Sequence, residues 1–272
     1  MYKRQGSNDS APGDGFVQSL ARGLAVIGAF DAERPAMSLS EVARQTQLTR
    51  ATARRFLLTL ESLGYVRSDG RRFELTPKVL SLGYSYLSAL SLPQLAQPHL
   101  RSLSDELGES TSMSVLDGAE IVYVARVATQ RIMSVSISLG TRFPAYATSM
   151  GRVLLAALPP EELAELLERA QPRSLTPLTL TDHTQLRAQI AAVRRAGHAV
   201  VDQELELGLR SVAVPVTDGT GAVVAAINVS MRAGLGSGDV EHLDRRVVPA
   251  LQRCAAALSA DVVTSGKSDF SS

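Results

Sequence analysis

The sequence predicts an α+β protein in two parts. An amino-terminal winged helix-turn-helix is followed by a linker helix and a carboxyl-terminal domain of antiparallel sheet with flanking helices. Three observations predict it. Apolar spacing is helical from Phe16 to about Leu63 and becomes alternating in much of the second half. The charge is uneven: residues 1–80 hold 12 Lys and Arg against 8 Asp and Glu, and the rest holds 16 against 19, so the net charge of +1 conceals a basic part. Finally, 272 residues with 45% hydrophobic and 20% charged side chains suffice for two ordinary domains.

Residues 1–15 are rich in Gly, Ser, Asn, Asp and Pro and read as a disordered tail, as do residues 263–272. The winged domain is expected over residues 16–76. Leu20, Leu24, Ile27 and Gly28 form the stripe of a first helix, and residues 31–37, with Pro35, read as a loop. Ser38 followed by Glu41 fits a capping box for a short helix, and Thr49 caps a longer one with Ala53, Phe56, Leu57 and Leu60 on one face. Gly64 fits a helix C-terminus, and two short strands flank the Asp69-Gly70 turn. Thr76-Pro77 opens the linker helix, expected over residues 77–92.

The second domain is expected over residues 93–262. A helix over residues 95–107 precedes a hairpin broken at Asp117-Gly118, and residues 133–138 alternate again. Helices are predicted from Met150 to Leu158, from Pro160 to Arg169, and from Thr181 or Asp182 to Ala196. Strands are predicted near residues 198–202, 211–216 and 223–230. A last helix runs from Asp239 to about Ala260, with a kink expected at Pro249.

Composition narrows the function classes. The single Cys254 excludes an intrachain disulfide, and the start lacks a signal-peptide pattern, so a cytoplasmic setting is expected. No apolar run approaches the ~20 residues of a membrane span. His99, His183, His198 and His242 are scattered without metal-ligand spacing. Neither a nucleophile elbow nor a P-loop is present, and the Gly234–Gly238 run lacks the strand–turn–helix frame of a dinucleotide site. An enzyme is not expected, nor any cofactor or metal.

Residues 42–72 carry Arg44, Arg50, Arg54, Arg55, Arg67, Arg71 and Arg72 against only Glu61 and Asp69. In a winged helix-turn-helix the second helix of the motif enters the major groove. Arg50, Thr52 and Arg54 lie near the start of that helix, just after its cap Thr49, and are placed for base edges, with Arg55 on phosphate. Arg71 and Arg72 at the hairpin tip would touch backbone or minor groove. Double-stranded DNA is the expected partner; the alternative is a sensor whose basic half docks on a protein.

Thr148-Ser149-Met150-Gly151 immediately precede an apolar helix. A helix start offers unpaired backbone N–H groups and a positive dipole end, suited to a carboxylate, although either hydroxyl residue could equally be a plain N-cap. Phe143 and Tyr146 are candidates to stack on an aromatic ring. Arg142 is a candidate carboxylate partner or a surface arginine.

The run SLSEVARQTQLTRATARRFLLTLESLGYV, followed by LTPKVLSLG, resembles the amino-terminal domain of the isocitrate-lyase-regulator (IclR-type) transcription factors. LGTRFPAYATSMGRVLLAAL, GHAVVDQELELGLRSVAVPV and AAINVS resemble that family's GAF/PAS-like effector-binding domain. Within the family the match is nearest the protocatechuate and 4-hydroxybenzoate regulators of the β-ketoadipate pathway. The resemblance implies palindromic operator DNA, a homodimer or homotetramer, no membrane partner, and a small aromatic or dicarboxylic acid effector; a short keto acid is the alternative. It also maps the effector pocket onto Ile132, Val135, Phe143, Ser149, Met150, Asp202, Leu209, Ser211, Asn228 and Ser230, beside Arg142, Tyr146 and Thr148. Gln47 stands where many relatives have Gly, so the turn is expected either to avoid a left-handed residue or to strain slightly. Ser149 likewise stands where many have Gly.

Overall fold

Capping chemistry sets the helix starts of the first half. In the computed structural model, which describes residues 16–31, 33–82, 92–129, 137–234 and 243–265, the chain divides into two compact units between Ser88 and Ala89. The first contains α1 (Gln18–Ile27), β1 (Ala36–Ser38), α2 (Leu39–Gln45), α3 (Arg50–Ser62), β2 (Val66–Ser68) and β3 (Arg72–Leu75). Ser38 caps α2 through the box: its hydroxyl accepts from Glu41 N at 3.4 Å, and Ser38 N donates to Glu41 Oε2 at 2.8 Å. Thr49 caps α3 by accepting from Thr52 N at 3.2 Å. At the other end Gly64 takes φ 78°; its N–H reaches Glu61 O and that of Tyr65 reaches Leu60 O, the paired bonds of a Schellman motif.

Val26, Met37, Val42, Ala53, Leu57 and Val66 form the core of this unit. Three features depart from expectation. The α1 stripe is split: Leu20 and Leu24 are 63% and 56% exposed, whereas Ile27 packs against the core and Val26 is the buried residue of the helix. The segment expected as a loop contains β1, which pairs antiparallel with β3 in a sheet of order β1-β3-β2. Three residues are too few to show an alternating pattern, so only the partner strand defines them. Gln47 sits at φ 55°, so the turn keeps its left-handed residue without glycine. Beyond β3, Thr76 caps a 3₁₀ turn (Pro77–Val79), and residues 80–82 are helical. The remainder of the expected linker helix lies outside the described residues.

The second unit contains α4 (Leu92–Leu107), β4 (Ser110–Asp117), β5 (Glu120–Val127), β6 (Arg142–Pro144), a 3₁₀ turn (Ala145–Ala147), α5 (Ser149–Ala157), α6 (Pro160–Ala170) and α7 (His183–Ala196). These are followed by β7 (Ala199–Asp202), β8 (Leu209–Thr217), β9 (Val223–Arg232) and α8 (Val248–Thr264). The strands form one antiparallel sheet of order β6-β5-β4-β9-β8-β7. Residues of α4 and α8 pack on one face, with Leu100, Met113, Ile227 and Leu251 buried there. Residues of α5, α6 and α7 pack on the other, around Ile121, Leu155, Leu167 and Ile190. Asp182 caps α7, and Gly197 ends it at φ 71°. The expected kink at Pro249 is instead a change of helix type: Leu243–Val247 is a π-helical stretch, and Pro249 falls in the first turn of α8, where the helix type changes. Most of the strand expected at 133–138 lies outside the described residues.

A register shift between Met113 and Ser114 leaves Val124 as the extra residue of β5, so that Ser114 faces Tyr123 and Ser112 faces Arg126. Val124 and Ala125 turn to the α4/α8 face, whereas Tyr123 packs on the α5 face.

Candidate functional site

In the first unit α3 presents Arg50, Arg54 and Arg55 exposed on the side away from Ala53 and Leu57, with Thr52 partly buried beside them. The Thr49 and Thr52 hydroxyls bond to each other at 2.8 Å, which orients the start of the helix. On the hairpin, Arg71 is exposed at the tip, and Asp69 Oδ1 accepts the backbone N–H groups of Arg71 and Arg72 at 2.8 and 2.7 Å. These donors, that of Arg72 first, hold the Asp69 carboxyl below its ordinary value. The Arg72 guanidinium donates to Ala36 O, so part of its donor capacity serves the small sheet. Arg67 is paired with Glu74 at 2.7 Å. Among the described residues Arg50, Arg54, Arg55 and Arg71 pair with no carboxylate, which leaves cationic heads at one helix start and one hairpin tip.

In the second unit a narrow cavity lies between the start of α5 and the sheet. Thr148, Ser149 and Met150 line it from the helix; Ser211, Asn228 and Ser230 line it from β8 and β9. Leu205 and Leu209, beside β7, complete an apolar wall. Thr148 is the N-cap of α5, accepting from Gly151 N at 3.1 Å. The first N–H groups of the helix have no partner within it and point along the dipole, so the site suits a carboxylate. Gly151 lets the helix start pack tightly, since a Cβ there would meet Ala145 O at 2.1 Å.

Two polar atoms of this lining have no hydrogen-bond partner: Ser149 Oγ and Asn228 Oδ1, on residues 0% and 3% exposed. Asn228 Nδ2 donates to Ser230 Oγ at 3.1 Å, and Ser114 Oγ donates to Met150 Sδ at 3.3 Å. Buried polar groups are ordinarily satisfied, so these two mark where a polar ligand would bond.

Four expected ligand residues are placed elsewhere. Arg142 is paired with Glu120 and Asp117, each at 2.7 Å, so its charge is neutralised on the β4–β5 hairpin. Phe143 does not line the cavity; it packs edge-on behind Tyr123, ring centres 5.8 Å apart. The Tyr146 hydroxyl donates to Arg173 O and accepts from Arg173 N, both at 3.0 Å, and anchors the loop before α7. Asp202 pairs through Oδ2 with Arg210 at 2.7 Å and is absent from the lining, although its Oδ1 is buried without a partner. Ile132 and Val135 lie outside the described residues. In the other direction, Tyr123, Ala147, Val201 and Leu205 line the cavity although none of them was expected there. The period-two alternation of β5 was the available signal for Tyr123.

Among the described residues, no group of His, Cys, Asp and Glu is arranged to hold a metal ion, and no helix is long and apolar enough to cross a membrane. Burial pushes the Cys254 thiol up to about 11, opposite to what a reactive thiol needs.

Two family models match the chain: the IclR helix-turn-helix domain over residues 19–70 and the bacterial transcriptional regulator IclR C-terminal domain over residues 84–260. The Pca regulon regulatory protein of Pseudomonas putida is 48% identical over 237 residues, covering 87% of this chain and 81% of that protein. Among solved structures, a transcriptional regulator from Rhodococcus sp. RHA1 superposes with a TM-score of 0.80 at 56% identity, covering 91% of this chain and 98% of that one. An IclR homologue from Microbacterium hydrocarbonoxydans, crystallised with 4-hydroxybenzoate, gives 0.78 at 27% identity over 90% and 98%.

Proposed function

The chain belongs to the IclR family of bacterial transcriptional regulators, and from that premise we propose that it controls aromatic-acid catabolism of the β-ketoadipate type in response to a small organic acid. It is a regulator, not an enzyme. The observation that carries the effector reading is Ser149: a buried hydroxyl without a partner, in the first turn of α5, inside a cavity faced by Ser211, Asn228 and Ser230. The helix start takes the carboxylate, while Met150, Leu205, Leu209 and Tyr123 enclose the carbon frame. Protocatechuate and 4-hydroxybenzoate carry a carboxylate on an apolar ring, the chemistry this lining offers to receive, and the Microbacterium homologue is complexed with the latter.

On the DNA side, Thr49, Arg50, Thr52 and Arg54 read base edges in the major groove, with Arg55, Arg71 and Arg72 on the backbone. The chain acts as a homodimer, or a pair of dimers, on a palindromic site. The exposed Leu20 and Leu24 of α1, with Phe16 just before the helix, support association, because exposed apolar side chains of this kind are costly in water. The acid changes DNA affinity by binding one arrangement of the dimer better than another, and the coupling is reciprocal.

Two measurements test this. Gel shifts with the DNA beside the gene should show loss of specific binding for Arg50→Ala and Arg54→Ala with the fold intact; parental binding by both variants would reject the recognition-helix assignment. Calorimetry with protocatechuate, 4-hydroxybenzoate and β-ketoadipate should show heat for at least one acid. Silence with all three would reject the effector class.

A further inference from the structure

We propose that Arg126 determines effector specificity, donating to an oxygen on the far end of an acid whose first carboxylate meets the start of α5. The inference rests on the effector reading above and names the chemistry of the opposite end of the same site.

The register shift in β5 places Arg126 on the sheet face that carries Tyr123, the face turned to α5. Its Nη1 donates to Ser112 Oγ at 3.1 Å. Ser112 is fully buried on β4, directly opposite Arg126 on one side and directly opposite Asn228 on the other. The Ser112 hydroxyl that holds the guanidinium thus lies about one strand spacing, ~5 Å, from the Asn228 side chain. Asn228 lines the cavity, and its Oδ1 lacks a donor.

Among the described residues no carboxylate pairs with Arg126. Arg67, Arg142 and Arg152 each have one within 2.7 Å. Burial without a counter-charge draws the Arg126 pKa below the usual guanidinium value. A partly desolvated cation just outside the cavity lining and an orphaned acceptor within it thus flank Ser112 on the same sheet face. A phenolic hydroxyl satisfies both, accepting from the guanidinium and donating to Asn228 Oδ1. A second carboxylate satisfies the guanidinium alone. An acid with a bare hydrocarbon end satisfies neither, and leaves both groups desolvated.

Calorimetry on the full chain with benzoate, 4-hydroxybenzoate and adipate tests this. The parent protein should bind 4-hydroxybenzoate at least tenfold more tightly than benzoate. Arg126→Gln should weaken 4-hydroxybenzoate tenfold or more and adipate, if it binds, comparably, while benzoate changes less than threefold. Operator gel shifts without acid should be unchanged. Equal losses for all three acids would mean a structural role and overturn the inference. Equal parental affinities for benzoate and 4-hydroxybenzoate would also overturn it, without needing any variant to fold, and would leave the effector reading standing. No binding of any acid to the parent would overturn both.

Discussion

Arg152 and Glu204 meet at 2.6 Å in the interior of the second unit, with side chains only 4% and 9% exposed. Arg152 Nε also donates to Tyr146 O at 3.0 Å, and Glu204 Oε2 also accepts from Leu180 N at 2.9 Å. The pair ties α5, the turn before it and the segment before α7 to the loop that carries Leu205. It thereby fixes one cavity wall against the helix that bears Ser149. Removing one partner leaves a buried charge alone, so Arg152→Met or Glu204→Gln should each destabilise the protein by about 3–5 kcal/mol. Chemical unfolding of both singles and of the Arg152→Met/Glu204→Gln double variant checks this; the double should cost much less than the sum.

Thr148 and Ser149 are adjacent hydroxyl residues with separable roles. Thr148→Val removes the α5 cap and should cost about 1 kcal/mol of stability. Ser149→Ala removes a hydroxyl that has no partner, so stability should hold while acid affinity falls about fivefold, the worth of one hydrogen bond. Thermal melts beside calorimetry on each variant distinguish the two.

Gly151 permits the close approach of α5 to Ala145. Gly151→Ala would drive a methyl group into a backbone carbonyl and should destabilise by about 3 kcal/mol. Denaturant midpoints measure it.

Gln47 holds a left-handed conformation at φ 55° in the turn between α2 and α3. Gln47→Gly relieves that strain, partly offset by the entropy glycine loses on folding, and should stabilise by about 0.5–1 kcal/mol. An unchanged or lowered unfolding midpoint would contradict the strain.

Burial pushes the Tyr123 phenol up to about 12 from an ordinary 10.0. Because the folded value is the raised one, stability is complete below pH 10 and falls as the unfolded chain ionises first. Between pH 10 and 12 the loss should reach about 2–3 kcal/mol. Tyr123→Phe should remove that part of the alkaline decline, as read from unfolding curves across this window.

The helix starts were legible because caps are local. Ser38 with Glu41, Thr49 with Thr52, and Asp182 with Gln185 each join residues three apart, and Gly64 and Gly197 sit where a helix must reverse its backbone hand. The cavity lining from Thr148 to Met150 and from Leu209 to Ser230 came from the family pattern. What escaped was decided at long range. Arg142 is engaged by Glu120 and Asp117, and Tyr146 by Arg173, partners 22 to 27 positions away. β1 exists only because β3 lies beside it. Arg126 reached the Tyr123 side of the sheet through a single bulge that alternation alone does not announce.

The adjacency of β4 and β9 has a consequence in time. Ser112 and Asn228 face each other across neighbouring strands yet are separated by more than a hundred residues of chain. The cavity floor therefore cannot close until β9 has left the ribosome, whereas residues 16–82 carry a core of their own and emerge first. At about 5–20 residues per second, roughly 8–30 s of synthesis separate the two events. Every new chain thus passes through an interval in which the core of its first unit is complete and the sheet of its second unit is not.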